Sequence, residues 1–181
     1  MAILGLDLST SIIGISCLED DGKLLFVDYI NLQKTKGTLI DKLNEAFKQL
    51  EEKNYKDKII KYNIEIVVAE AALEKFTSGK STAHILLMLA AFNQSFTYHF
   101  HKTYAEARKN FGIKLPKIPK GTKAHIKSKL KKEFIVGCVS VKWPEIMWQK
   151  NKNSNHCDWN YDIADALVIA ANHVSKKIKN T

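Results

Sequence analysis

Residues 3–10 read Ile3-Leu4-Gly5-Leu6-Asp7-Leu8-Ser9-Thr10. From Ala2 to Leu8 the chain is apolar and β-compatible except for one acid, Asp7, near the end of the run. A carboxylate between apolar neighbours has little structural excuse, because a buried charge is costly unless it is paired or metal-bound. Working outward, residues 11–18 and 24–32 are two further strand-like runs, with Asp20, Asp21 and Gly22 as turn residues between them. This spacing predicts an antiparallel three-strand start.

Next, Thr38 with Asp41 three residues on predicts a capped helix, and Leu39, Leu43, Phe47 and Leu50 recur at helical spacing behind it. Residues 64–72 form a continuous apolar and β-branched run containing Glu70, as expected of a central strand buried on both faces. That strand belongs beside the first one. After a loop at 77–82, residues 83–96 are apolar nearly all round, which predicts a helix on the sheet whose far side a dimer partner would cover. A short strand is expected at 101–105, a helical turn or two at 106–111, and a proline-broken loop at 115–121. Residues 122–134 read as a helix with Ile126, Leu130 and Phe134 on a core stripe and Lys123, Lys127 and Lys131 on another. The last helix is placed from about Asn160, with Ala164, Leu167, Val168 and Ala171 inward. With no repeat or low-complexity linker, residues 1–181 are read as one domain of mixed α/β order in which the first and fourth strands can be neighbours.

The 181 residues carry a formal charge of +9, nearly all of it from lysine, since Arg108 is the only arginine. Such a balance points to a polyanionic partner. From Ala107 through Lys132 there is no acid, while Arg108, Lys109 and eight further lysines fall in that window. The block reads as a phosphate-contacting surface, with Arg108, Lys109, Lys120, Lys123, Lys127 and Lys131 as candidate DNA contacts and Lys80 as a further one in the loop after Glu70. No apolar run approaches the roughly 18 residues of a membrane helix, and no secretory signal opens the chain, so a cytoplasmic location without a membrane partner is expected. Cys17, Cys138 and Cys157 are odd in number and scattered, which suits reduced thiols rather than disulfides.

The acids carry the chemistry. Asp7 and Glu70 sit at two strand ends, and Asp162 and Asp165 lie three residues apart on the last helix, projecting toward one side within a turn. Four converging carboxylates are what magnesium or manganese requires. A pair of such ions about 4 Å apart can activate a water and stabilise the leaving oxygen in phosphodiester cleavage, so no nucleophilic side chain is needed.

Leu4-Gly5-Leu6-Asp7-Leu8-Ser9-Thr10, the strand-end Glu70, and Asp162-Ile163-Ala164-Asp165-Ala166-Leu167-Val168-Ile169-Ala170 followed by His173 resemble the RuvC-type Holliday junction resolvases in residue type and order. The resemblance implies an RNase H-like fold: a mixed five-stranded sheet, three antiparallel strands and then parallel ones, flanked by helices. It also implies a homodimer that nicks two opposed strands of a four-way DNA junction. Asp7, Glu70, Asp162 and Asp165 would be the catalytic metal ligands, holding two Mg2+ ions for which Mn2+ can substitute. In the family an aromatic residue three positions past the strand-end glutamate wedges into the junction; this chain has Leu73 there, with Phe76 as a substitute. Residues 141–159 have no clear family counterpart. A small lysine-rich version of this kind would suit a phage genome, which would place the protein in the host cytoplasm.

Ser78-Gly79-Lys80-Ser81-Thr82 invites a phosphate-loop reading, but the motif's first glycine falls on Glu74, so no nucleotide cofactor is expected. His156, Cys157 and His173 lack zinc-site spacing. Two other readings stay open: an RNase H-like nuclease acting on forks, flaps or RNA-DNA hybrids, and a branched-DNA-binding protein without catalysis.

Overall fold

The computed structural model describes the backbone of residues 1–70, 97–101 and 104–180, with side chains over 1–69 and 105–175. Leu73, Phe76, Lys80, the 77–82 loop and the expected helix over 83–96 with its dimer face lie outside the described residues. Strands β1 (Ala2–Asp7), β2 (Ile12–Glu19) and β3 (Leu24–Asn31) form an antiparallel meander in which Asp7 pairs with Gly14. Strand β4 (Ile64–Glu70) runs parallel to the other side of β1, and β5 (Thr97–His101) runs parallel to β4. The result is one mixed sheet in the order β3-β2-β1-β4-β5.

Alternation along the strands sorts side chains onto two faces. Ala2, Leu4 and Leu6 of β1 join Ile13, Ile15 and Cys17 of β2 and Val67 and Ala69 of β4 in one core, closed by Ala46, Leu50 and Tyr55. Ile3, Leu18 and Val68 point the other way, into a core closed by the C-terminal helices. Both faces of β1 are therefore dry, which is why its sequence is almost uninterruptedly apolar.

Helix α1 (Leu39–Glu52) begins with the expected capping box: the Asp41 N–H donates to the Thr38 hydroxyl at 3.3 Å, and the Thr38 N–H donates to the Asp41 carboxylate at 2.6 Å. Its inner stripe is Ala46 and Leu50, whereas Phe47 is 45% exposed, a correction to the stripe read from spacing. Helix α2 (Tyr55–Lys61) follows, unanticipated in the sequence, entered through Asn54 at φ 53°. Asp28 of β3 ties this corner to the sheet. It accepts from Lys53 Nζ at 2.5 Å, Tyr55 Oη at 3.2 Å and Lys58 Nζ at 3.3 Å.

Three departures concern the second half. The strand expected over 101–105 ends at His101, and helix α3 (Tyr104–Asn110) begins soon after. The Thr97–His101 segment pairs with β4 and so satisfies backbone groups that β4 would otherwise leave open, while Ala105 and Ala107 favour helix. Helix α4 (Ala124–Lys142) runs two turns past the expected end at Phe134. It also turns a different face inward: Ile126, Leu130 and Phe134 are 42%, 47% and 37% exposed, and Ile135, Val136 and Val139 are buried. Burial of that last stretch outweighs the roughly 1 kcal/mol helix cost of Gly137.

Helix α5 (Asp158–Asn180) starts two residues before Asn160 and carries Ala164, Leu167, Val168 and Ala171 into the core as expected. The connection between α4 and α5 packs back onto the fold. The buried Trp143 donates its indole N–H to the Gly22 carbonyl at 3.2 Å, and Trp159 stacks on Tyr29 with ring centroids 4.8 Å apart. Cys17, Cys138 and Cys157 are free thiols, and among the described residues no helix is long and apolar enough to cross a membrane.

Candidate active site

Two glycines let α5 touch the sheet backbone to backbone. A Cβ on Gly5 would stand 2.4 Å from the Ala166 carbonyl oxygen and 2.8 Å from Ala170 Cβ. A Cβ on Gly14 would stand 2.1 Å from the Asp162 carbonyl carbon and oxygen. Both glycines lie on the face that Ile3 and Leu18 share, and Gly14 is the register partner of Asp7. The first turns of α5 are thereby laid against the sheet next to the end of β1.

The consequence is a direct meeting of acids. The Asp7 and Asp162 carboxyls share a hydrogen bond. Burial, with the negative charges of Asp165 and Asp158, pushes the Asp162 carboxyl up to about 6 against the opposing pull of Lys132 and of the Asp7 bond. Asp165, one turn on, is only 8% exposed, and Nη2 of Arg108 straddles its two oxygens at 2.8 and 3.0 Å. Burial raises the Asp165 carboxyl as well, and the charges of Arg108 and Lys132 offset that only in part. Arg108, read from the sequence as a phosphate contact, thus lies on a buried aspartate rather than on the open surface.

Glu70 closes β4 opposite His101, one residue beyond Ala69, which pairs with Leu6 of β1. Its backbone therefore reaches the same edge of the sheet as Asp7.

Two solved structures are similar to this chain over their whole length. A Thermus thermophilus RuvC in complex with a Holliday junction substrate superposes with a TM-score of 0.63 at 13% identity, covering 100% of this chain and 98% of that one. A second Thermus thermophilus RuvC structure gives a TM-score of 0.59 at 15% identity with the same coverage. The fold is of the RuvC type. No protein-family model matches the chain, and no curated protein matches it.

Within this RuvC-type fold, the donor set suits a hard divalent cation: the Asp7 and Asp162 carboxyls meet with Asp165 one turn on, and burial, followed by the charges of Asp165 and Asp158, raises the Asp162 carboxyl. Among the described residues, no three acidic, histidine or cysteine side chains already stand in metal-holding geometry, and the Arg108 guanidinium supplies the positive charge at Asp165.

Around these acids the lysines divide. Lys109, Lys120, Lys123 and Lys131 are exposed and Lys127 is half-buried. Lys132, which the sequence reading did not single out, is the lysine whose charge acts on both Asp162 and Asp165. The signal was available as spacing: His125, Lys129 and Lys132 follow i, i+4, i+7 on α4 and line one cleft, next to the stripe of Lys123, Lys127 and Lys131.

Proposed function

We propose that this chain is a structure-selective endodeoxyribonuclease that resolves four-way DNA junctions by divalent-metal-dependent phosphodiester hydrolysis. The observation that supports it most is the contact of Asp7 with Asp162, one turn from Asp165, on a RuvC-type fold. Asp7, Glu70, Asp162 and Asp165 would hold two Mg2+ ions, with Mn2+ as a substitute, from two strand ends and one helix. When bound, the metal supplies an activated water and stabilises the leaving oxygen.

The chain's own contribution is placement. Gly5 and Gly14 bring α5 onto the sheet so that its acids face the end of β1, and the rigid elements on either side keep them there. Lys132 provides positive charge beside the acids for a phosphate, and the block from Arg108 to Lys132 suits diverging DNA backbones rather than base edges. Four-way junctions are the substrate class of choice because the similar Thermus thermophilus protein is a complex with one. A homodimer of single nuclease domains fits paired nicking of opposed strands.

The test is to incubate the protein in magnesium with labelled junctions, forks, flaps and RNA-DNA hybrids. Junctions should be cut in preference to the rest, and Asp7→Asn, Glu70→Gln, Asp162→Asn and Asp165→Asn should each abolish cutting while binding survives. Cutting confined to hybrids would replace this reading by that of another RNase H-like nuclease, and wild-type binding with no cutting would leave a branched-DNA-binding protein.

A further inference from the structure

Next to the acids a cleft of about 380 Å³ opens between the first half of α4, the loop around residues 151–156 and the start of α5. Ser128, Lys129 and Lys132 enter it from α4, Asn155 and His156 from the loop, and Asp158 from the first turn of α5. Its size lies within the range of small-ligand sites. Its lining carries two ammonium groups, Lys129 and Lys132, and the Asp158 carboxylate, while the Glu133 carboxylate behind the wall is taken up by His156 and Tyr161.

The cleft is pre-shaped. Asn151 Oδ1 accepts the Asn153 and Asn155 N–H groups at 2.9 and 3.2 Å, and Ser154 turns the chain at φ 60°. Lys129 Nζ donates to Asn155 Oδ1 at 3.2 Å, joining helix to loop. Glu133 anchors the back wall: it accepts from the Tyr161 hydroxyl and from His156 Nδ1, the latter at 2.7 Å. Because the carboxylate can only accept, Nδ1 carries the proton that ties the ring to Glu133, so His156 shapes the wall between loop and helix rather than donating into the cleft. Lys132 holds its ammonium 5.3 Å from the Tyr161 ring centre while its charge also reaches Asp162 and Asp165. One cation thus serves both the cleft and the acids.

We infer that this cleft is a subsite for one backbone phosphate of the DNA strand adjoining the position to be cut, with Lys129 and Lys132 as its cations and the Asn155 side-chain amide N–H as its directional donor. The inference rests on the nuclease reading only in placing the strand beside the aspartates.

The experiment measures binding of fluorescent four-way junctions in EDTA, where nothing is cut, with single phosphates replaced one at a time by neutral methylphosphonate. Wild-type protein should lose roughly tenfold in affinity at one or two phosphates flanking the cut position. Lys129→Ala and Asn155→Ala should lose a similar factor on the unmodified junction, become insensitive at those same phosphates, and keep the wild-type pattern elsewhere. Lys129→Ala should also lower the salt slope by about one. Lys129 is exposed, so if Asn155→Ala unfolds, Lys129→Ala carries the test by itself. Variants that keep the full wild-type pattern, or that weaken binding equally at every phosphate, would overturn the subsite. Inorganic phosphate should compete for it only at millimolar concentration, and binding of free phosphate that displaces no DNA would overturn it too. Absence of cutting in magnesium with the methylphosphonate pattern intact would sink the nuclease reading and leave the subsite standing.

Discussion

Gly14 lies directly under the backbone of Asp162: a Cβ there would sit 2.1 Å from the Asp162 carbonyl, closer than atoms can pack. Because Gly14 also pairs with Asp7, the same missing methyl group lets the helix acid reach the strand acid.

Replacing Gly14 by Ala should therefore push α5 off the sheet. We expect a loss of roughly 3 kcal/mol in unfolding free energy, typical of overpacking against backbone, together with loss of cutting. Gly137→Ala on α4, whose Cβ would meet nothing within 4 Å, should add roughly 0.5 to 1 kcal/mol. Urea unfolding of both variants checks the pair, and equal effects would contradict the backbone-contact account.

Arg108→Ala should strip Asp165 of its cation in a site where the carboxylate is only 11% exposed. A cost of about 3 kcal/mol is expected near pH 8, shrinking as pH falls and the raised Asp165 carboxyl takes up a proton instead. Added Mn2+ should recover part of that loss in a thermal melt. A variant as stable as wild type at pH 8 would remove the ion pair from the account.

The raised Asp162 carboxyl has a sign that can be checked. Its unfolded value is 3.8 and its folded value about 6, so the folded state holds the proton more tightly, and a penalty grows as pH rises between those values and is complete above pH 6. The size is roughly 2 to 3 kcal/mol. Mg2+ should therefore raise the melting temperature more at pH 8 than at pH 5, and Asp162→Asn should abolish that difference. Equal shifts at the two pH values would refute the assignment.

Asp28 behaves in the opposite way. Burial pushes its carboxyl up, but hydrogen bonds from Lys53 and the Tyr29 N–H and the charges of Lys53 and Lys58 more than offset this, leaving it below the ordinary value of 3.8. Its stabilisation is present above that value and is lost as pH falls through the folded one. Asp28→Ala should cost about 2 kcal/mol at pH 7, with the gap to wild type closing as pH falls below the ordinary carboxyl value of 3.8 in denaturant titrations.

The strands were legible because buried runs have a period that sequence displays: Ala2 to Leu6 and Ile66 to Ala69 are apolar on both faces and became the adjoining parallel strands β1 and β4. The α1 cap was legible because Thr38 and Asp41 bond within one turn. Helix α4 misled for a physical reason. Ile126, Leu130 and Phe134 form a good helical stripe, but which stripe is buried depends on the neighbour, and α5 packs against Ile135, Val136 and Val139. For the same reason Arg108 passed for one more surface cation in a basic block until Asp165 was found beside it.

The three-strand start with β4 beside β1, the four acids as candidates and the excess of positive charge follow from the amino-acid sequence alone, since each depends on residue type and short-range periodicity. That Asp7 reaches Asp162, that Arg108 pairs with Asp165, and that the charge of Lys132 rather than of Lys127 or Lys131 acts on Asp162 and Asp165 were decided only by the tertiary structure. Those facts depend on how closely α5 can approach the sheet and on the face α4 presents, distances that glycines at positions 5 and 14 permit but that no local pattern encodes.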